Sequence, residues 1–142
     1  MFLAIFKISQ PILETIMDSL DEVLAEMDFD FLGAGVHSMS VDAMCKALGN
    51  DHFFFLDVRT AREIQHLAFP FATNIPVNEL PARKGELPKD KCIVAFCSSI
   101  FRGAVAYAFL MANGFKEVKC LTASTEQMAS VLKPGPLAKI LA

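Results

Sequence analysis

The chain has 142 residues, of which 54% are hydrophobic and 20% charged, with 13 phenylalanines and a net charge of −3. That length suits one domain with a proper core, and so much apolar side chain argues against disorder and for a parallel sheet covered on both faces. Lys and Arg are scattered without runs, which excludes the basic face of a nucleic-acid binder, and no apolar stretch approaches the roughly 18 to 20 residues that span a bilayer.

The opening residues Met1 to Phe6 look like the start of a signal peptide. Their nearby cation, Lys7, follows the apolar run instead of preceding it, and Gln10-Pro11 then breaks the run. The expectation is no export and a cytoplasmic location. From Pro11 to Met27, Ile12, Leu13, Ile16, Met17, Leu20, Val23, Leu24 and Met27 recur at steps of three and four, with acids between them. This spacing predicts an amphipathic helix opened by Pro11, an additional packing element that could also pair two copies into a homodimer. Asp28 to Gly35, with two glycines, reads as a connector. The chain is expected to divide into an N-terminal helical extension, 1–35, and a main domain, 36–142.

Ser40 can cap a helix through about Leu48 that ends at Gly49-Asn50, and Phe53 to Val58 then has the apolar run of a buried strand. Asp57 and Arg59 stand at its carboxyl end. A short helix around Ala61 to His66 and a proline-rich loop lead to a second buried strand, Cys92 to Phe96, with Cys97 at its exit. Phe101 to Ala112 reads as a helix apolar nearly all round, closed by Asn113-Gly114, and Val118 to Leu121 as a third strand. Near the end, Lys133-Pro134-Gly135-Pro136 reads as a stiff turn closing the last helix. Strands alternating with helices imply βαβ units and a mainly parallel sheet, whose ligands bind at the carboxyl ends of the strands. Asp57, Arg59 and Cys97 all fall at such ends.

Cys45, Cys92, Cys97 and Cys120 form neither a C-x-x-C pair nor a metal spacing with histidine, so no metal site and no disulfide framework is expected. A strand from Cys92 to Cys97 is about 16 Å long and turns the two thiols to opposite faces, which forbids a bridge. Cys45 and Cys120 read as core cysteines. Cys97 differs by position. Its loop, Cys97-Ser98-Ser99-Ile100-Phe101-Arg102, joins a buried strand to a helix, where backbone N–H groups and the helix dipole favour an anion and Arg102 supplies a cation. Such surroundings favour thiolate over thiol. Ser98 and Ser99 could hydrogen-bond a sulfur anion or could cap the helix. His37, His52 and His66 read as surface or turn residues, because no spacing pairs them with Cys97.

Asp57-Val58-Arg59 followed by Glu63, then Asn74-Ile75-Pro76, then a strand to a C-x4-R loop at Cys97, then Asn113-Gly114-Phe115 with Val118, together resemble a single-domain rhodanese over about residues 36 to 124. The resemblance implies a three-layer α/β fold with a central, mainly parallel sheet flanked by helices, to which the N-terminal amphipathic helix is added. It implies a sulfurtransferase or persulfide carrier with a thiosulfate or polysulfide donor. Cys97 would be the nucleophile, Ser98, Ser99, Ile100, Phe101 and Arg102 the anion-binding loop, and Asp57 and Arg59 a supporting pair that orders neighbouring loops. A small sulfur donor, a thiol or protein acceptor and no organic cofactor are implied. The similar phosphatases carry one more loop residue.

The chain departs from that pattern in three places. Ile100 stands where the family usually has a loop glycine, which raises the question of a left-handed backbone angle. Leu67-Ala68-Phe69-Pro70-Phe71-Ala72 lacks the usual histidine and glycines, and Ala123-Ser124 replaces a glycine pair. Two readings follow. In one, Cys97 carries sulfur, and an apolar mouth at Ile100 and Phe101 favours a protein thiol over a hydrated anion. In the other, the domain is a catalytically silent rhodanese-like module that binds a partner through its apolar loop and N-terminal helix.

Overall fold

The structure is a computed structural model that describes residues 19–142. Five parallel strands, β1 (Ser38–Met39), β2 (Phe53–Asp57), β3 (Ala72–Asn74), β4 (Cys92–Phe96) and β5 (Val118–Leu121), form one sheet in the order β1-β5-β4-β2-β3. All five residues of β4 are buried, as befits the central strand of a parallel sheet covered on both sides. Alternation along β4 sends Ile93, Ala95 and Cys97 into one core cluster and Cys92, Val94 and Phe96 into the other. Cys92 and Cys97 therefore face opposite sides of the sheet.

The first cluster lies under α6 (Phe101–Ala112), which presents Ala106, Tyr107 and Leu110 to it, with Leu80 of α5 (Leu80–Arg83). The second is covered by Met44 of α3 (Val41–Ala47) and Met128 of α7 (Thr125–Ser130), and contains Phe55, Phe69 and Phe96. Ser40 and Ser124 cap α3 and α7, each accepting a hydrogen bond from the N–H three residues on.

Three expectations need correction. The expected helix over Pro11–Met27 falls partly outside the described residues, and so does the proposed pairing of two copies through it. Within the described part, α1 (Leu20–Ala25) packs on α6 and stops short of Met27. The expected connector after it contains a second helix, α2 (Phe29–Ala34), capped by the Asp28 side chain at Phe31 N–H and ended by Gly35 at φ 70°. Met27 and Phe31 pack against the α6-side core, which gives this segment a reason to fold. Lastly, the Lys133 to Pro136 turn opens a helix instead of closing one. Pro134 is the first residue of α8 (Pro134–Leu141), where a missing N–H costs nothing. The strands at the two sheet edges, β1 and β3, were not expected.

Candidate functional site

Cys97 leaves β4 on the α6 side and is only 1% exposed, so burial alone does not separate it from a core cysteine. Its surroundings do. Residues 97–100 turn back to start α6, whose N-cap, Ile100, offers no side-chain hydrogen bond, whereas Ser19, Asp28, Ser40, Thr60 and Ser124 each cap their helices with a side chain. Among the described residues, no protein group accepts from the N–H of Ser99, Ile100, Phe101, Arg102 or Gly103. The first turn of a twelve-residue helix thus keeps its positive end open beside the thiol. Ser98 and Ser99 do not cap it.

Ile100 has φ −135°, and among the described residues only glycines have positive φ. The loop closes without the left-handed angle that a glycine would allow, so Ile100 is compatible with it. Ile100 is 48% exposed and Phe101 76%, which puts an apolar rim on the site. Gly103, not among the expected site residues, also shapes the loop. A Cβ there would lie 3.2 Å from Phe96 Cα and 3.3 Å from Ala95 O, so glycine lets α6 press directly onto β4 behind the thiol. A glycine inside a helical pattern was the available signal.

Arg102 reaches back across the loop. Its Nη2 donates to Ser98 Oγ at 3.1 Å, and its two terminal nitrogens donate to both Glu63 oxygens at 2.8 and 2.9 Å. Arg102's pKa is raised, chiefly by hydrogen bonding to Glu63, with Cys97 adding to it as a neighbouring charge and acceptor. Glu63 belongs to α4 (Ala61–Ile64) and is held by the N–H and hydroxyl of Thr60 at 2.9 and 2.8 Å in a capping box. Arg102, aided by Thr60, keeps this carboxyl well below the usual carboxylate range. Glu63 follows the Asp57-Val58-Arg59 motif in the resemblance but is not among the expected site residues.

Asp57 and Arg59 are brought together, but with each other. Arg59 Nη2 lies 2.7 Å from Asp57 Oδ2, both side chains are 3% exposed, and the guanidinium also donates to Leu67 O and sits over the Phe69 ring. Asn74 closes the turn from the other side by donating to the carbonyls of Asp57 and Arg59 at 2.9 and 2.8 Å. The departures from the expected pattern have structural uses: Phe69 and Phe71 form an aromatic cluster with Phe55 and Phe96, and Thr125 N–H, after Ser124, donates to Ser98 O.

The other cysteines lack this setting. Burial pushes the thiols of Cys92 and Cys120 up to about 11, and that of Cys45 upward as well. His37 stacks on Phe31, and His52 pairs with Glu117 at 2.9 Å.

A parallel α/β sheet that mounts a cysteine at the exit of its central strand, in a loop with open backbone amides that an arginine closes, defines a class of thiol-bearing α/β domains. The Rhodanese-like domain model matches residues 40–130, and the chain belongs to that family. A protein named sulfurtransferase from Allochromatium vinosum is 31% identical over 84 residues, covering 58% of this chain and 78% of that protein. The structure of reduced Bacillus anthracis CoADR-RHD superposes with a TM-score of 0.63 at 27% identity, across 72% of this chain and 18% of that one. An NAD-dependent persulfide reductase from A. fulgidus gives 0.53 at 27% identity, across 68% and 16%. This chain spans less than a fifth of the length of those two proteins.

Proposed function

We propose that the protein is a rhodanese-type sulfurtransferase in which Cys97 accepts a sulfane sulfur from a donor such as thiosulfate or a polysulfide and passes it on. The observation that carries this reading is the open amino end of α6 beside Cys97, with no side-chain cap and, among the described residues, no protein acceptor on the amides of residues 99–103. Those amides and Arg102 suit a sulfur anion at the thiol. The similarity to a protein named sulfurtransferase and to a persulfide reductase points the same way.

In the first half-reaction the Cys97 thiolate attacks the outer sulfur of a donor R–S–SH. The donor S–S bond breaks, RS⁻ leaves with the electron pair, and Cys97–S–SH forms. With thiosulfate the leaving group is sulfite. In the second, an acceptor thiolate attacks the outer sulfur and Cys97 leaves as thiolate, so no external oxidant and no general base are required. Ser98 to Phe101 and Arg102 cradle the transferred sulfur, while Asp57 and Arg59 support the neighbouring loops. All four cysteines are free, which fits a reducing compartment such as the cytoplasm.

The test is a two-stage transfer. Protein is treated with polysulfide, desalted, and mixed with a thiol acceptor or cyanide; the expected result is release of one sulfur per loaded chain, and none from Cys97→Ser. Equal release from both proteins would refute the assignment.

A further inference from the structure

Resting on that reading of Cys97, we infer that Glu63 sets the donor class. By neutralising Arg102 it makes the site take sulfur from hydropersulfides, neutral or singly charged, in preference to the thiosulfate dianion.

Arg102 is the sole cation in the six-residue loop. Two of its terminal N–H groups are given to Glu63 at 2.8 and 2.9 Å and a third to Ser98 Oγ at 3.1 Å, out of the five a guanidinium carries. Glu63 is not free to swing away, because Thr60 holds Oε2 through both its N–H and its hydroxyl. The nearby Arg59 is committed to Asp57 and Leu67 O within the core. With Cys97 as the attacking thiolate, the guanidinium and the carboxylate cancel and the cluster carries one net negative charge.

The loop amides do not discriminate between donors, since they meet the same transferred sulfur in either case. Discrimination comes from the rest of the donor. Attack on R–S–SH expels RS⁻ and leaves Cys97–S–SH, so a donor carrying at most one charge enters the site. Attack on thiosulfate leaves Cys97–S–S⁻ and expels sulfite, and the donor must bring two negative charges up to a cluster that is already negative. At the mouth the exposed side chains of Ile100 and Phe101 suit an apolar donor.

The test compares wild type with Glu63→Gln. Glutamine can keep the capping box with Thr60 and one hydrogen bond to Arg102 while losing the charge. Loading of Cys97 is timed by quenched intact-mass spectrometry, separately with thiosulfate and with cysteine hydropersulfide. Wild type should load faster from the hydropersulfide, and the ratio of the two rates should fall by about tenfold or more in Glu63→Gln, mainly because thiosulfate becomes faster. A second measurement needs no variant: thiosulfate loading of wild type should accelerate with ionic strength as like-charge repulsion is screened, while hydropersulfide loading changes little. Faster loading of wild type from thiosulfate, or a ratio equal in both proteins, would overturn the inference and leave Cys97 as the carrier. Loading from neither donor would overturn the carrier reading itself.

Discussion

Two arginine–carboxylate pairs stand near the carboxyl ends of the central strands, and they do different work. Asp57 and Arg59, two residues apart, are 3% exposed and fully enclosed by Leu67 O, the Phe69 ring and Asn74. Glu63 and Arg102, 39 residues apart, are 35% and 25% exposed and face the thiol loop. The chemistry of the pair is the same in both. What differs is burial and neighbours: the first pair ties the scaffold together from inside, and the second is hydrogen-bonded to Ser98 in the loop of Cys97. A buried pair is costly to break, whereas a half-exposed one contributes little to stability and is free to serve the site.

The largest expected effect breaks the inner pair. Asp57→Ala leaves Arg59 charged and enclosed, and should cost about 3 to 5 kcal/mol in a urea titration. Next, Gly103→Ala forces a methyl against Phe96 Cα and Ala95 O, backbone atoms that cannot swing aside. It should cost about 1 to 3 kcal/mol and slow sulfur loading, because the amino end of α6 must lift away from Cys97.

The outer pair should respond in the opposite proportion. Glu63→Gln should change stability by less than about 1 kcal/mol in the same titration, while altering donor preference. The smallest effect is its pH dependence. Arg102 lowers the folded-state pKa of Glu63, so the stabilisation is present above the unfolded value of about 4.3 and is lost as pH falls below it. Stabilities of wild type and Glu63→Gln, measured by urea titration from neutral to acid pH, should differ above that value and converge below it.

The strands and helix that carry the thiol were legible because their signals are local. Cys92 to Phe96 is a continuous apolar run, and Phe101 to Ala112 is bounded by a loop and by Asn113-Gly114, with Gly114 at φ 85°. β1, with two residues, and β3, Ala-Thr-Asn, are too short to show any alternation, and only pairing in the sheet makes them strands. α2 was hidden by Gly33, a glycine in open space that fits a helix as well as a loop. At the site, the strand-end cysteine, its loop and Arg102 could be read from one stretch of chain. The partner of Arg102 could not, because nothing local in the sequence joins residues 63 and 102; the fold brings α4 to the loop.

The central claim is that Cys97 carries sulfur, and mapping the sulfur by mass spectrometry tests it most directly. Wild type and Cys97→Ser are each treated with polysulfide, desalted, alkylated, digested and sequenced. The account predicts an added sulfur, removable by dithiothreitol, on the Cys97 peptide of wild type, with Cys92 and Cys120 unmodified because burial keeps them as thiols near neutral pH. Sulfur on no cysteine, or retained in Cys97→Ser, would contradict it; the former would favour a silent binding module.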